Sequence, residues 1–448
     1  MMNILIHRAD IVNEGRKYRG SVLIEKDRIK AIYTSNDEFD IPEGTDVIEA
    51  DGRLLLPGVI DEHVHFREPG LTHKGDINSE SRAAVAGGIT SFMEMPNTVP
   101  QTISIEALER KQQLAAEMSL CNYSFYLGST NDNIEEIKKA DPETTCGVKL
   151  FMGSSTGNMH VDNTDSLRRI FAESPLPLFC HCEDDATIQE NLKKYRKQLG
   201  DDIPVEYHPA IRSREACLRS SSLAVRLAEE FNTRLHILHL STADEVKLFD
   251  SSIPLEQKRI SAEVCVHHLW FDDSSYTDKG NYIKWNPAIK TAFDRKALIE
   301  GILNDNIDII ATDHAPHTRG EKQKAYIEAP SGGPMVQHSL PLMLELSKQG
   351  IISIEKIVEK MCHNPAILFG ISKRGFIREG YKADLCLVDP DNEWTADSDN
   401  ILYKCGWSPL EGQTFSSSVE KTFVNGGLAY DRGRINETLR GELLRFKR

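Results

Sequence analysis

His63 and His65, in the stretch DEHVHFREPG, are two residues apart, so in extended chain both imidazoles leave the same face and can hold one cation. Alone the pair is a weak signal, since a polar strand end produces it as readily. It gains weight from its company. His181 ends the run LPLFCHCE, His239 ends RLHILHLS, and Asp313 stands in IDIIATDH, each near the C-terminal edge of an apolar run. Nitrogen and oxygen donors of this kind suit zinc, and five of them at run ends predict a metal site. Cys180 and Cys182 flank His181, but strand alternation turns both away from the face it uses. His236, three residues before His239, is off phase and is expected to pack.

Lys149 interrupts the apolar run CGVKLFMG. A buried ammonium without a partner costs several kcal/mol or loses its proton, so this lysine snorkels, pairs, or is chemically changed. A buried neutral amine can take up CO₂ to become a carbamate, an anionic ligand with two oxygens that could bridge metal ions about 4 Å apart. Lys149 falls between the runs that carry His65 and His181, where such a group would be useful.

Eight runs place these residues: LLLPGVID, ITSFMEM, NYSFYLGS, CGVKLFMG, LPLFCHCE, RLHILHLS, ISAEVCVHHL and IDIIATDH. Helical patterns such as SIEALERKQQLAAEM and CLRSSSLAVRLAEEF lie between them, the signature of repeated βα units. Eight units predict an α/β fold, a (β/α)₈ TIM-type barrel, with the donors on its catalytic rim. A doubly wound open sheet would carry a glycine-rich phosphate loop after the first strand, and none is there. Strand-and-turn sequences at the two ends, GSVLIEKDRIKAIY on one side and KADLCLVDP and KTFVNGGLAYDRG on the other, predict a small β-sandwich-like domain shared by the termini. The expected division is 1–56 and 367–448 for that domain and 57–366 for the barrel.

Of 448 residues, 40% are hydrophobic and 27% charged, enough for a large core in an ordinary globular protein. A formal charge of -15 argues against nucleic acid or an anionic membrane as partner. No run is long enough to span a membrane, and nine cysteines without a CxxC pair fit reduced thiols, so a cytoplasmic protein is expected. An anionic substrate would have to be drawn in by local cations.

The motifs PGVIDEHVHFREPG, MPNT, GVKLF, HCED, HILHLST, EVCVHHL, NPAIKT and ATDHAPH, in this order, resemble the dihydroorotases of the amidohydrolase superfamily, in the group that uses a carboxylated lysine. The resemblance spans essentially the whole chain. It implies two zinc ions, one held by His63, His65 and Asp313, the other by His181 and His239, with carboxylated Lys149 as the bridge. Another branch of that family uses an aspartate shortly after strand four, and here the segment reads MGSSTG. The resemblance also assigns the substrate to Arg67, Asn97, Asn286, His317, Ser331 and Gly332. Arg67 offers a planar fork of donors suited to a carboxylate. The following segment PMVQHSLPL departs from the family pattern, and His267 and His268 are left outside the metal set.

The activity so implied is reversible cyclisation of N-carbamoyl-L-aspartate to L-dihydroorotate, a step of pyrimidine synthesis, with Asp313 as catalytic proton carrier. A homodimer, or association with aspartate carbamoyltransferase, is the expectation for partners. The rival readings are an allantoinase or hydantoinase, which Arg67 argues against, and a non-catalytic scaffold, which would be expected to have lost ligands that here are all present.

Overall fold

The computed structural model describes residues 3–35, 37–153 and 159–448. Both chain ends build one sheet. Ile4–Asn13 pairs antiparallel with Arg16–Glu25, which pairs with Arg28–Thr34, and Leu54–Pro57 joins Ile4–Asn13 to Leu385–Asp389 and onward to Ser418–Val424 and Gly427–Asp431. The strands expected as a sandwich thus hydrogen-bond as a single nine-stranded sheet. One of its faces wraps a separate core that includes Ile6, Ile24, Leu55, Leu385 and Phe423.

The eight expected βα strands are present: β1 (Val59–Val64), β2 (Ile89–Glu94), β3 (Asn122–Phe125, resuming at Leu127–Gly128), β4 (Val148–Phe151), β5 (Leu178–His181), β6 (Leu235–Ile237), β7 (Ile260–Cys265) and β8 (Ile309–Ala311). Every neighbouring pair is parallel. Nearly all their residues are buried, as expected for strands covered by helices on one side and packed against one another on the other. β1 and β8 approach each other: Val64 bridges His314 in parallel, His65 N donates to His314 O at 2.7 Å, and Thr312 Oγ1 donates to Asp61 Oδ2 at 2.6 Å.

Three runs are shorter as strands than their apolar length suggests. LLLPGVID is divided, because Leu54–Pro57 turns outward into the terminal sheet and only Val59–Val64 enters the βα array. Gly58 lies at the division, where a Cβ would sit 2.2 Å from Thr90 Oγ1. ISAEVCVHHL ends as a strand at Cys265, and His267 and His268 lie on the short helix Val266–Trp270. His239 lies two residues beyond β6, where the chain has already left the strand.

Side chains stop and start the intervening helices. Asp76 and Ser79 form a capping box at the start of Ile77–Ala86, and Ser213 Oγ accepts from Ala216 N at the start of Arg214–Phe231. That second helix ends at Asn232 in the left-handed region, φ 54°. Well-defined helix ends fix the βα loops, and the loops carry the polar residues described next. Among the described residues no helix is long and apolar enough to cross a membrane.

Candidate active site

A cavity of about 210 Å³ at the C-terminal ends of the strands is lined by all twelve residues singled out from the sequence: His63, His65, Arg67, Asn97, Lys149, His181, His239, Asn286, Asp313, His317, Ser331 and Gly332. Three of them, Arg67 (φ 72°), His239 (φ 39°) and Asp313 (φ 45°), hold left-handed backbone that side-chain-bearing residues rarely adopt. Each such residue costs roughly 1–3 kcal/mol, and such strain is characteristic of functional sites. Here it bends the chain just past β1, β6 and β8, so that consecutive residues reach the cavity from different directions.

His63, His65 and Asp313 converge. Asp313 Oδ1 lies 3.3 Å from His63 Nε2 and 3.1 Å from His65 Nε2. His63 Nδ1–H donates to Glu263 Oε1 at 2.5 Å and His65 Nδ1–H to Asn97 Oδ1 at 2.7 Å, so both rings keep their protons on the far side and turn Nε2 lone pairs inward. Burial alone would raise the Asp313 carboxyl, but His63 and His65 outweigh it and hold it at about 2. Burial pushes His65 down to about 4, so its ring is neutral at physiological pH.

His181 and His239 form the other group, with His181 Nδ1 only 2.9 Å from His239 Nε2. His181 Nε2–H donates to Glu183 Oε2 at 3.0 Å, which leaves Nδ1 as the inward lone pair. Glu183 is fully buried; burial would raise its carboxyl, but Arg212 beside it, with His181, holds it at about 2. Within each group, lone-pair atoms at these separations would repel unless a proton or a cation lies between them. The donor set therefore fits a divalent cation, and His63, His65 and Asp313 are close enough to share one.

Lys149 enters from β4 between the two groups, 1% exposed. Burial lowers its ammonium to about 8, against the opposing pull of Asp313 and Glu263. About a tenth of it is therefore free amine at pH 7. The segment MGSSTG that follows, without an aspartate, runs into 154–158, outside the described residues.

The opposite wall is cationic. Arg67 is 6% exposed, its Nε donates to Pro316 O at 3.0 Å, and among the described residues no carboxylate pairs with it. His317 Nε2 is 3.0 Å from Arg67 Nη2 and 3.0 Å from Ser331 O. Gly332 holds φ 121°, and a Cβ there would meet Ala315 O at 2.6 Å, so the close approach of this loop needs glycine. Its N–H already donates to Lys284 O at 2.8 Å. Asn286 presents a buried Oδ1 that no described group satisfies. Of the segment that departs from the family pattern, Met335 N and Val336 N donate to His314 Nδ1, behind the site.

Cys180 and Cys182 belong to the apolar core and do not line the cavity. His236 also lies off it, 2.8 Å from Ser261 Oγ. His267 stacks on Trp285, ring centroids 4.2 Å apart, and Trp285 Nε1 donates to Asp313 O at 3.3 Å. Sequence reasoning missed Glu263, Glu183 and Arg212, which hold His63, His181 and Glu183 in turn, and gave Asn97 only a substrate role although its Oδ1 here orients His65. The HCED motif held Glu183 in plain view, two residues past His181.

Residues 54–429 match the model of the amidohydrolase family. A dihydroorotase of Methanosarcina acetivorans is 32% identical over 435 residues, 94% of this chain and 91% of that one. One of Pyrococcus furiosus is 34% identical over 395 residues, 87% and 85% of the two chains. The solved L-hydantoinase of Arthrobacter aurescens superposes with a TM-score of 0.91 at 27% identity, covering 97% of this chain and 98% of that one. The chain belongs to the amidohydrolase family, in its dihydroorotase branch.

Proposed function

We propose that the cavity is the active site of a dihydroorotase, which closes N-carbamoyl-L-aspartate to L-dihydroorotate and opens it again. The observation that carries this reading is the buried Arg67 guanidinium, which lines the cavity without a carboxylate partner among the described residues. A buried cation in that position favours an anion, and its fork matches a carboxylate in two-point geometry. A hydantoin or allantoin ring carries no carboxylate to satisfy it. That consideration outweighs the structural likeness to the L-hydantoinase, whose identity to this chain is below that of the dihydroorotases.

Two zinc ions held here would supply a water acidic enough to attack at neutral pH and would polarise the carbonyl under attack. His63 and His65 through Nε2 and Asp313 through Oδ1 would hold one, His181 through Nδ1 and His239 through Nε2 the other, with Lys149 as a carbamate between them. The Asp313 carboxylate, basic at working pH, accepts the proton of the attacking water and delivers it to the leaving ring nitrogen. Ring closure reverses that transfer at the same carboxylate. Arg67 fixes the substrate carboxylate, with Asn97, Asn286, His317 and the loop at Ser331 and Gly332 completing its surroundings. We read 57–366 as a closed (β/α)₈ barrel and 1–56 with 367–448 as the small domain. The hydrogen bonds between β1 and β8 support that closure.

Arg67→Met tests the reading. It should leave metal content unchanged and lower kcat/KM for dihydroorotate by about a hundredfold, roughly 3 kcal/mol for a lost charge-assisted pair. Lysine at this position should rescue poorly, because it keeps the charge and loses the fork. Undiminished turnover by Arg67→Met, or a preference of the parent enzyme for hydantoin or allantoin, would overturn the assignment.

A further inference from the structure

Lys74 stands outside the cavity, behind His317. Its Nζ is 3.0 Å from His317 Nδ1 and 2.9 Å from Glu321 Oε1. Glu321 is itself fixed, accepting from Thr318 N and Thr318 Oγ1 at the start of the short helix Arg319–Lys322. An ammonium has donors only, so His317 Nδ1 must accept. His317 is buried among Arg67, Lys74 and Lys322, with Glu321 Oε2 at 3.9 Å, and burial and those cations keep the ring neutral. A neutral imidazole has one N–H. With Nδ1 accepting, that hydrogen sits on Nε2 and donates to Ser331 O at 3.0 Å.

The tautomer decides what Arg67 can do. Arg67 Nη2 lies 3.0 Å from His317 Nε2. If Nε2 were the acceptor, the guanidinium would spend a hydrogen on it, and Ser331 O would face a lone pair. With the proton on Nε2 neither happens: the ring's one hydrogen holds the loop carbonyl, and the Arg67 Nη2 hydrogens are left without an acceptor on His317. A guanidinium edge with no acceptor on the neighbouring ring calls for a negatively charged one from the cavity.

We propose that Lys74 is a positioning residue that fixes the Nε2–H tautomer of His317 and so leaves the Arg67 fork open for the substrate carboxylate. This rests on Arg67 as the carboxylate anchor. The tautomer itself can be read without substrate, so the two readings fail separately.

The experiment uses full-length protein labelled with ¹⁵N in histidine, the His317 signal being identified by its loss in His317→Asn. The parent should show Nε2–H. Lys74→Met should shift His317 toward Nδ1–H and raise KM for dihydroorotate about ten- to hundredfold, the loss of a hydrogen bond to a charged group, with kcat changed less than about threefold. Lys74→Arg, another donor-only cation, should restore both the tautomer and KM. Should the methionine variant misfold, Lys74→Gln serves, since an amide donates or accepts and cannot impose a tautomer. An Nδ1–H signal in the parent overturns the proposal, as does a raised KM with the tautomer unchanged, or a changed tautomer with KM unchanged. Loss of the Arg67 effect with Nε2–H retained would instead overturn the substrate assignment alone.

Discussion

If Lys149 becomes the carbamate proposed above, its state before metal binds sets how fast the centre can assemble. A carbamate forms from the free amine and CO₂, so its rate follows the neutral fraction of a group held by burial at about 8. That fraction is about 0.1 at pH 7 and about 0.9 at pH 9. The sign is fixed: raising the pH deprotonates the amine and speeds capture. With dissolved CO₂ held constant, CO₂-dependent recovery of zinc-stripped protein should therefore start about tenfold faster at pH 9 than at pH 7. An unperturbed lysine near 10.4 would give nearly a hundredfold over the same interval, about 0.0004 to 0.04. The assay is zinc uptake and return of activity after stripping, in buffer depleted of CO₂ and then resupplied, with ¹³C-labelled bicarbonate to observe the carbamate carbon. Lys149→Ala should lose activity and paired metal occupancy, and short carboxylic acids at high concentration should restore part of both. Recovery indifferent to CO₂, or two zinc ions and normal turnover in Lys149→Ala, would refute the reasoning.

Asp313→Asn keeps size and an oxygen donor but cannot accept a proton, so zinc content should be largely retained while hydrolysis and ring closure are both lost; activity surviving in either direction points to another base. Glu183→Gln replaces the acceptor-only carboxylate by an amide that donates or accepts, so the His181 proton is no longer held on Nε2, and it leaves Arg212 without its buried carboxylate. Affinity for the second metal should fall by about ten- to a hundredfold by competitive chelation, with occupancy of the first kept; equal loss of both ions would show a general collapse instead.

The number and order of the βα strands and the identities of the donors at their ends were legible because burial on both faces leaves continuous apolar runs, and a polar residue at the end of such a run stands out. Where runs were misread, the local signal was silent about partners. Leu54–Pro57 is as apolar as the strand that follows, and only its pairing with Ile4–Asn13 on one side and with Leu385–Asp389, over three hundred residues away, on the other draws it into the terminal sheet. His267 and His268 continue an apolar run in sequence, yet the chain turns helical at Val266.

The sequence by itself determined which residues could bind metal and carboxylate: His63, His65, Lys149, His181, His239, Asp313 and Arg67 have side chains with those capacities wherever they fold. Which atom of each faces the cavity was decided only in three dimensions. Glu263 lies 200 residues from His63, yet it accepts the Nδ1 proton and so turns Nε2 inward; Glu183 reverses that choice at His181. The same holds for Lys149, whose ammonium is weakened by burial that no neighbour in sequence supplies. A side chain's chemistry is covalent and local, whereas its protonation and tautomer are set by partners and by loss of water, and those exist only once the chain has closed around them.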